Sequence, residues 1–282
     1  MEAAAVARSG TPVTRASLGA DLVRLGVRRG AVLMVHSSVS ALGWVCGGAQ
    51  AVVQALLDVV GEEGTLVVPT HTNNNSDPAE WHNPPVPEAW WPVVREHLPA
   101  FDVARSPSVL GAVPELVRSW PGARRSGHPH YSFAAVGPAA ERVCAGHRLE
   151  SGLGEGSPLA RVHELDGDVL LLGVDHASNT SLHLAEYRVP EPPRARAAAA
   201  VAANGARRWT VWEDVRTDSD DFAELGAAFD ATGATRSGPA GAGRATLMRQ
   251  RAAVAFAVGW LREHRPAAPP GSRDRVVRAR RR

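Results

Sequence analysis

Three short runs, at residues 31–36 (AVLMVH), 65–69 (TLVVP) and 169–172 (VLLL), are almost wholly apolar and too brief for helices, so each reads as a buried strand. Between the first two, Gly47 and Gly48 open a helix at 49–60, giving a strand, helix, strand unit consistent with parallel pairing. The third run stops at Gly173. After a turn at 175–179, Thr180 can cap a helix that carries Ser181, His183 and Glu186. Side chains three apart on a helix are neighbours, so His183 and Glu186 share a face near its first turn. Open α/β sheets place their chemistry at the carboxyl ends of their strands, which is where this pair falls. A lone histidine in such a position can equally cap or pack.

Helical spacing recurs along the chain. Thr14 caps a helix to about residue 25, with Leu18, Leu22 and Leu25 on one face. Further helices are expected at 88–97, 111–120, 138–145, 157–165, 250–263, and from Asp220 or Asp221 to 229. A strand at 133–136 and a hairpin, 198–202 with 209–212 about Asn204-Gly205, complete the elements. From 70 to 107 asparagine, proline and tryptophan crowd a stretch without strong period, which reads as a long ordered loop. The expected organisation is a disordered N-terminus at 1–12, a single domain at 13–264 and a disordered Arg/Pro-rich tail at 265–282. The alternation of strands and helices points to an α/β fold.

A chain of 282 residues that is 44% hydrophobic can bury a large core, and a net charge of +2 does not suggest nucleic acid. All 31 basic residues are arginine, which excludes lysine as a catalytic group; isoleucine is absent too, a pattern of GC-rich coding. Cys46 and Cys144 lack metal-like spacing and suit a reducing compartment. With no membrane-length apolar segment and no signal-peptide core, the expectation is a soluble cytoplasmic protein.

HSS at 36–38, RRSGHP at 124–129, GSPLARVHELDGDVLLLGV at 156–174 and NTSLHLAE at 179–186 occur in that order. Together they resemble the aminoglycoside 3-N-acetyltransferase family of antibiotic N-acetyltransferases, over about residues 12–263. The resemblance implies acetyl transfer from acetyl-coenzyme A to the 3-amino group of 2-deoxystreptamine aminoglycosides, and hence antibiotic resistance. It also implies a three-layer α/β/α domain with a central, largely parallel sheet and a small lobe of hairpin and long loop. That fold is distinct from the common N-acetyltransferase fold with its pyrophosphate-binding loop.

Acetyl transfer requires an amine that loses its proton, a thioester oxygen stabilised as it turns negative, and two substrates held in register. His183 is the expected base, since imidazole titrates near neutrality. Glu186 is one possible orienting carboxylate. In relatives the partner is an aspartate after the hairpin, which selects Asp214 here, with Asp218 in reserve. Asp77 and Asp102, with Glu213, Asp218 and Asp221, offer acidic walls for a polycation, joined by Glu80 and Asp220. Trp81, Trp90 and Trp91 can stack on sugars or simply pack. The coenzyme side is assigned to Ser37, Ser38 and Gly48, whose main chain can meet phosphate or pantetheine. Arg125, Ser126 and His128, with Arg124, suit phosphates, and His36 and Ser108 are placed in the same channel. No histidine is placed to activate Cys46 or Cys144, so direct attack by the amine is expected.

Two alternatives remain: a coenzyme A-dependent acetyltransferase for a different amine, and a metal-dependent hydrolase using His71, His128, His176, His183 and Glu186. The spacing of the latter fits no standard zinc pattern, so no metal is expected. A non-catalytic aminoglycoside binder would be favoured by an unpaired His183. The expected partners are aminoglycoside and coenzyme A, without nucleic acid or membrane, on a monomer or homodimer.

Overall fold

The computed structural model describes residues 5–7, 9–203 and 205–265. Strands β1 (Val32–Ser37), β2 (Thr65–Pro69) and β5 (Asp168–Leu172) lie side by side and parallel, with β1 in the middle. Beside β2 runs antiparallel β4 (Phe133–Val136), edged by β3 (Arg124–Arg125). Beside β5 runs antiparallel β9 (Gly243–Arg249), edged by β8 (Thr235–Ala240). The sheet therefore reads β3-β4-β2-β1-β5-β9-β8.

Successive strand residues point to opposite faces, and here both faces are apolar. Leu33, Val35, Leu66 and Val68 join one core, against α1 (Arg15–Leu25), α2 (Gly48–Val60) and α4 (Ala112–Arg118). Met34, Val67, Val169 and Leu171 join the other, against α5 (Ala140–Cys144), α6 (Pro158–Glu164), α8 (Phe222–Asp230) and α9 (Gln250–His264). Each buried Leu or Val contributes about 1.5–3 kcal/mol, so the two cores are what fix three layers. Thr14 starts α1 through a capping box: its hydroxyl accepts the Ser17 N–H and the Ser17 hydroxyl accepts the Thr14 N–H.

The hairpin is longer than its expected span. β6 (Arg194–Ala203) and β7 (Ala206–Val215) pair over ten residues each as a separate sheet; Asn204 lies outside the described residues. Main chain ties it to the long loop: Phe101 N–H donates to Ala200 O at 3.0 Å, and Ser76 bridges Ala199. Helix α3 (Trp91–His97) lies within that loop.

At the amino end, Ser9 Oγ accepts the Trp44 N–H at 2.7 Å, and Val13, the first residue of the expected domain, bridges Val45. Residues 1–4 and 8, and residues 266–282 of the expected tail, lie outside the described residues. Arg265 itself is fixed to the domain, as shown below. Strands β8 and β9 were not expected from the sequence pattern. Among the described residues, no helix is long and apolar enough to cross a membrane.

Candidate active site

The three parallel strands end together. β1 closes on His36 and Ser37, Thr70 and His71 follow β2, and Gly173 follows β5. Antiparallel β4 enters from the same edge, where Ser132 Oγ donates to Thr70 O at 2.7 Å. Beyond Gly173, two 3₁₀ turns lead to α7 (His183–Glu186), a single helical turn. Asp175 Oδ1 accepts the Ala177 N–H and Asn179 Oδ1 accepts the Ser181 N–H, so Asn179 rather than Thr180 supplies the cap.

On α7, His183 Nδ1 lies 2.6 Å from Glu186 Oε2, with the carboxylate buried and the imidazole 15% exposed. A carboxylate can only accept, so Nδ1 carries the proton and Nε2 is left as an acceptor. Glu186 Oε1 accepts from Arg265 Nη1 at 2.5 Å and from the Asp218 N–H at 2.9 Å. The ring of Phe222 lies 4.7 Å from the His183 ring and 5.8 Å from Arg265 Cζ, an apolar floor under both.

Asp214 is not the carboxylate that meets His183 Nδ1. It sits near the end of β7, where its buried carboxylate accepts from the Gly152 N–H, its neighbour Val215's N–H and the Tyr187 hydroxyl, at 2.8–2.9 Å. Burial pushes its pKa up, against the lowering effect of those three donors. Asp218 spends its carboxylate on the Asp220 N–H. The expected acidic walls are also largely engaged. Asp77 is ion-paired with Arg95 and caps Ala79, Asp102 accepts the Ala104 and Arg105 N–H groups, and Asp221 pairs with Arg265. Glu213 projects from β7 and is exposed.

The expected coenzyme group divides. Arg125 is consumed by Thr70 O, Val103 O and Ser106 O, and its pKa is lowered to about 10 by burial. Ser126 Oγ accepts the Phe133 N–H and meets His147 Nδ1. His128 is buried, with Nδ1 accepting from His130 N–H and Tyr131 N–H while Nε2 faces Leu149 O. The polar atoms of these three are already matched by protein. Ser108 is also engaged, its N–H donating to Glu115 Oε2 and its hydroxyl accepting from Leu110 N–H. Ser37, Ser38 and Gly48 remain partly exposed, and a Cβ at Gly48 would meet nothing within 4 Å.

Among the described residues, His36 Nε2 and His71 Nε2 have no hydrogen-bond partner although both rings are buried. Burial, then the nearby His183 charge, lowers each to about 3, so both imidazoles are neutral. His71 was placed only in the metal alternative; its signal was a polar residue directly after a buried strand. Burial raises Cys144 to about 12, which keeps it a thiol. Among the described residues no group of three or more His, Cys, Asp or Glu side chains is arranged to hold a metal ion. Arg265 was missed as a site residue because it lies 79 positions from Glu186.

Known proteins resemble this chain over most of its length. The sequence profile described as Aminoglycoside 3-N-acetyltransferase matches residues 34–262. The SPbeta prophage-derived aminoglycoside N(3')-acetyltransferase-like protein YokD of Bacillus subtilis (strain 168) is 43% identical, across 89% of this chain and 93% of its own. Aminoglycoside N(3)-acetyltransferase VII of Streptomyces paromomycinus is 36% identical, across 93% and 96%. Among solved structures, AAC-IIIb in binary complex with CoASH superposes with a TM-score of 0.80 at 36% identity, covering 90% of this chain and 98% of that one. AAC-VIa bound to sisomicin gives 0.81 at 29%, covering 92% and 100%.

Proposed function

This chain belongs to the aminoglycoside 3-N-acetyltransferase family, and on that premise we propose that it moves the acetyl group of acetyl-coenzyme A to the 3-amino group of 2-deoxystreptamine aminoglycosides, with His183 as general base. The observation that carries the assignment of the base is the 2.6 Å contact between His183 Nδ1 and Glu186 Oε2 at the carboxyl edge of three parallel strands. With Nδ1–H given to Glu186, Nε2 accepts the proton that the amine sheds as it attacks the thioester carbonyl. Base catalysis of this kind is worth about 10²–10⁴ in rate. Glu186 fixes ring and tautomer and favours the imidazolium once formed. The thioester oxygen gains negative charge, the coenzyme thiolate leaves, and it takes up a proton; no acyl-enzyme intervenes. A neutral thiol at Cys144 suits that direct route.

On the coenzyme side, Ser37 and Ser38 offer partly exposed hydroxyls beside the Gly47-Gly48 turn at the start of α2, a fit for phosphate and pantetheine amides. The unmatched Nε2 atoms of His36 and His71 supply polar groups not already used by protein. The chemistry uses no metal, and the two free cysteines suit a reducing cytoplasm. Acetylating an ammonium-bearing antibiotic removes one of its charges, which is the basis of resistance. The test is thiol release from acetyl-coenzyme A with a panel of aminoglycosides: His183→Ala should lose about a hundredfold or more in kcat. A variant that keeps its turnover would exclude His183 as the base.

One observation favours a second reading in which the acceptor is a less cationic amine. Asp77 and Asp221, two of the acids available to a polycation, are already neutralised by Arg95 and Arg265. Measurable coenzyme binding without turnover on any aminoglycoside would select that reading.

A further inference from the structure

Arg265 closes the last turn of α9, its N–H donating to Leu261 O, and reaches back across the site. Nη1 meets Glu186 Oε1 at 2.5 Å, Nη2 donates to Asp218 O at 2.6 Å, and Nε meets Asp221 Oδ2 at 2.6 Å. The guanidinium is thus shared between two carboxylates, one of which is the partner of His183, and it is 28% exposed. A fork of this kind is held in a single geometry far better than an ammonium would be.

We propose that Arg265 is a positioning residue for the His183–Glu186 pair. With the Asp218 N–H it occupies Glu186 Oε1, so that Oε2 is left to His183 Nδ1–H. Its charge limits how strongly Glu186 holds a second proton on the imidazole. The inference rests on His183 acting as the base. Without a cation at Arg265, the buried Glu186 carboxylate has His183 as its one strong partner and stabilises imidazolium, which cannot accept a proton from the amine. Asp221 acts in the opposite sense, drawing part of the Arg265 charge toward itself.

Around His183 the other titratable groups are few. His36 at the end of β1 and His71 after β2 are both lowered to about 3 by burial, and Tyr131 before β4 is raised by burial. These three stay neutral between about pH 5.5 and 9, leaving Glu186, Arg265 and Asp221, with the Asp218 carboxylate turned to the Asp220 N–H beside them, as the charges around the acid side of the rate profile.

The experiment is the pH dependence of kcat/KM with sisomicin and acetyl-coenzyme A for the full chain, for Arg265→Gln, for Asp221→Asn and for His183→Ala. Arg265→Gln should move the acid limb up by about one pH unit, costing up to about tenfold at the acid end with recovery at high pH. Asp221→Asn should move the limb the other way, by roughly half a unit. Opposite displacements are something that general loosening of the site cannot produce. If Arg265→Gln does not fold, the sign of the Asp221→Asn shift alone decides. Limbs that stay in place, or shift together, overturn the role of Arg265. A His183→Ala enzyme that keeps its turnover overturns the assignment of the base instead, so the two failures are told apart.

Discussion

His128 shows how a residue typical of active sites can serve the chain alone. Its Nδ1 accepts two main-chain N–H groups at 3.0–3.1 Å and its Nε2 faces a carbonyl at 3.2 Å, all buried. Leaving such groups unmatched costs about 1–3 kcal/mol each. His128→Leu should therefore destabilise the fold by several kcal/mol in urea titration, while His128→Asn, which restores an acceptor near Nδ1, recovers part of the loss. Because the ring has no atom left for the coenzyme, KM for acetyl-coenzyme A in the folded Asn variant should stay within about twofold. A large rise in KM with stability intact would return His128 to the coenzyme site.

Within elements, the same substitution has opposite expected signs at two helical glycines. In α8, a Cβ on Gly226 would lie 2.1 Å from His176 Cγ, a ring held between Asp230 and Asn179, so Gly226→Ala should cost about 1–3 kcal/mol through overpacking. In α9, Gly259 is exposed with nothing within 4 Å, and Gly259→Ala should stabilise by about 0.5–1 kcal/mol. Thermal melts of the two variants read both signs. Elements with a strong period or a continuous apolar run were legible in the sequence: 65–69 and 133–136 are the observed β2 and β4. Edge strand β8 was not, because TRSGPA carries glycine and proline and is mostly exposed, giving no alternation to detect. The hairpin was read too short because its ends are arginine-rich and exposed, with their cross-strand partners invisible along the chain. The same locality governed the site. His183 and Glu186, one helical turn apart, could be paired on spacing, whereas the engagement of Asp214 by Gly152 and of Arg265 by Glu186 depends on contacts across 62 and 79 positions.

At the scale of the whole molecule, five histidines are buried neutral. Burial first, with neighbouring imidazoles in several cases, lowers His36 and His71 to about 3, His130 and His147 to about 4, and His128 well below its ordinary range. In the unfolded chain each titrates near its ordinary value of about 6.5. The unfolded state then binds more protons, so stability is full above that value and is lost as pH falls toward 4. Each contributes up to about 1.4 kcal/mol per pH unit, against a total domain stability of about 5–15 kcal/mol. Urea midpoints should fall steeply from pH 7 to 5, with unfolding by about pH 4.5; a flat profile over that interval would contradict the burial of these rings as neutral groups. The hairpin carries a different consequence. Phe101 N–H and the His130 ring hold it through the carbonyls of Ala200 and Ala198, and Arg207 reaches the main chain of Leu98. Beside these anchors a cavity of about 440 Å³ is lined by Arg196, Trp209 and Val211, none of which supplies an attachment. Mutation can rewrite those three side chains without detaching the lobe, so the lining of this cavity can vary in descendants of this chain while the His183–Glu186 pair is inherited unchanged.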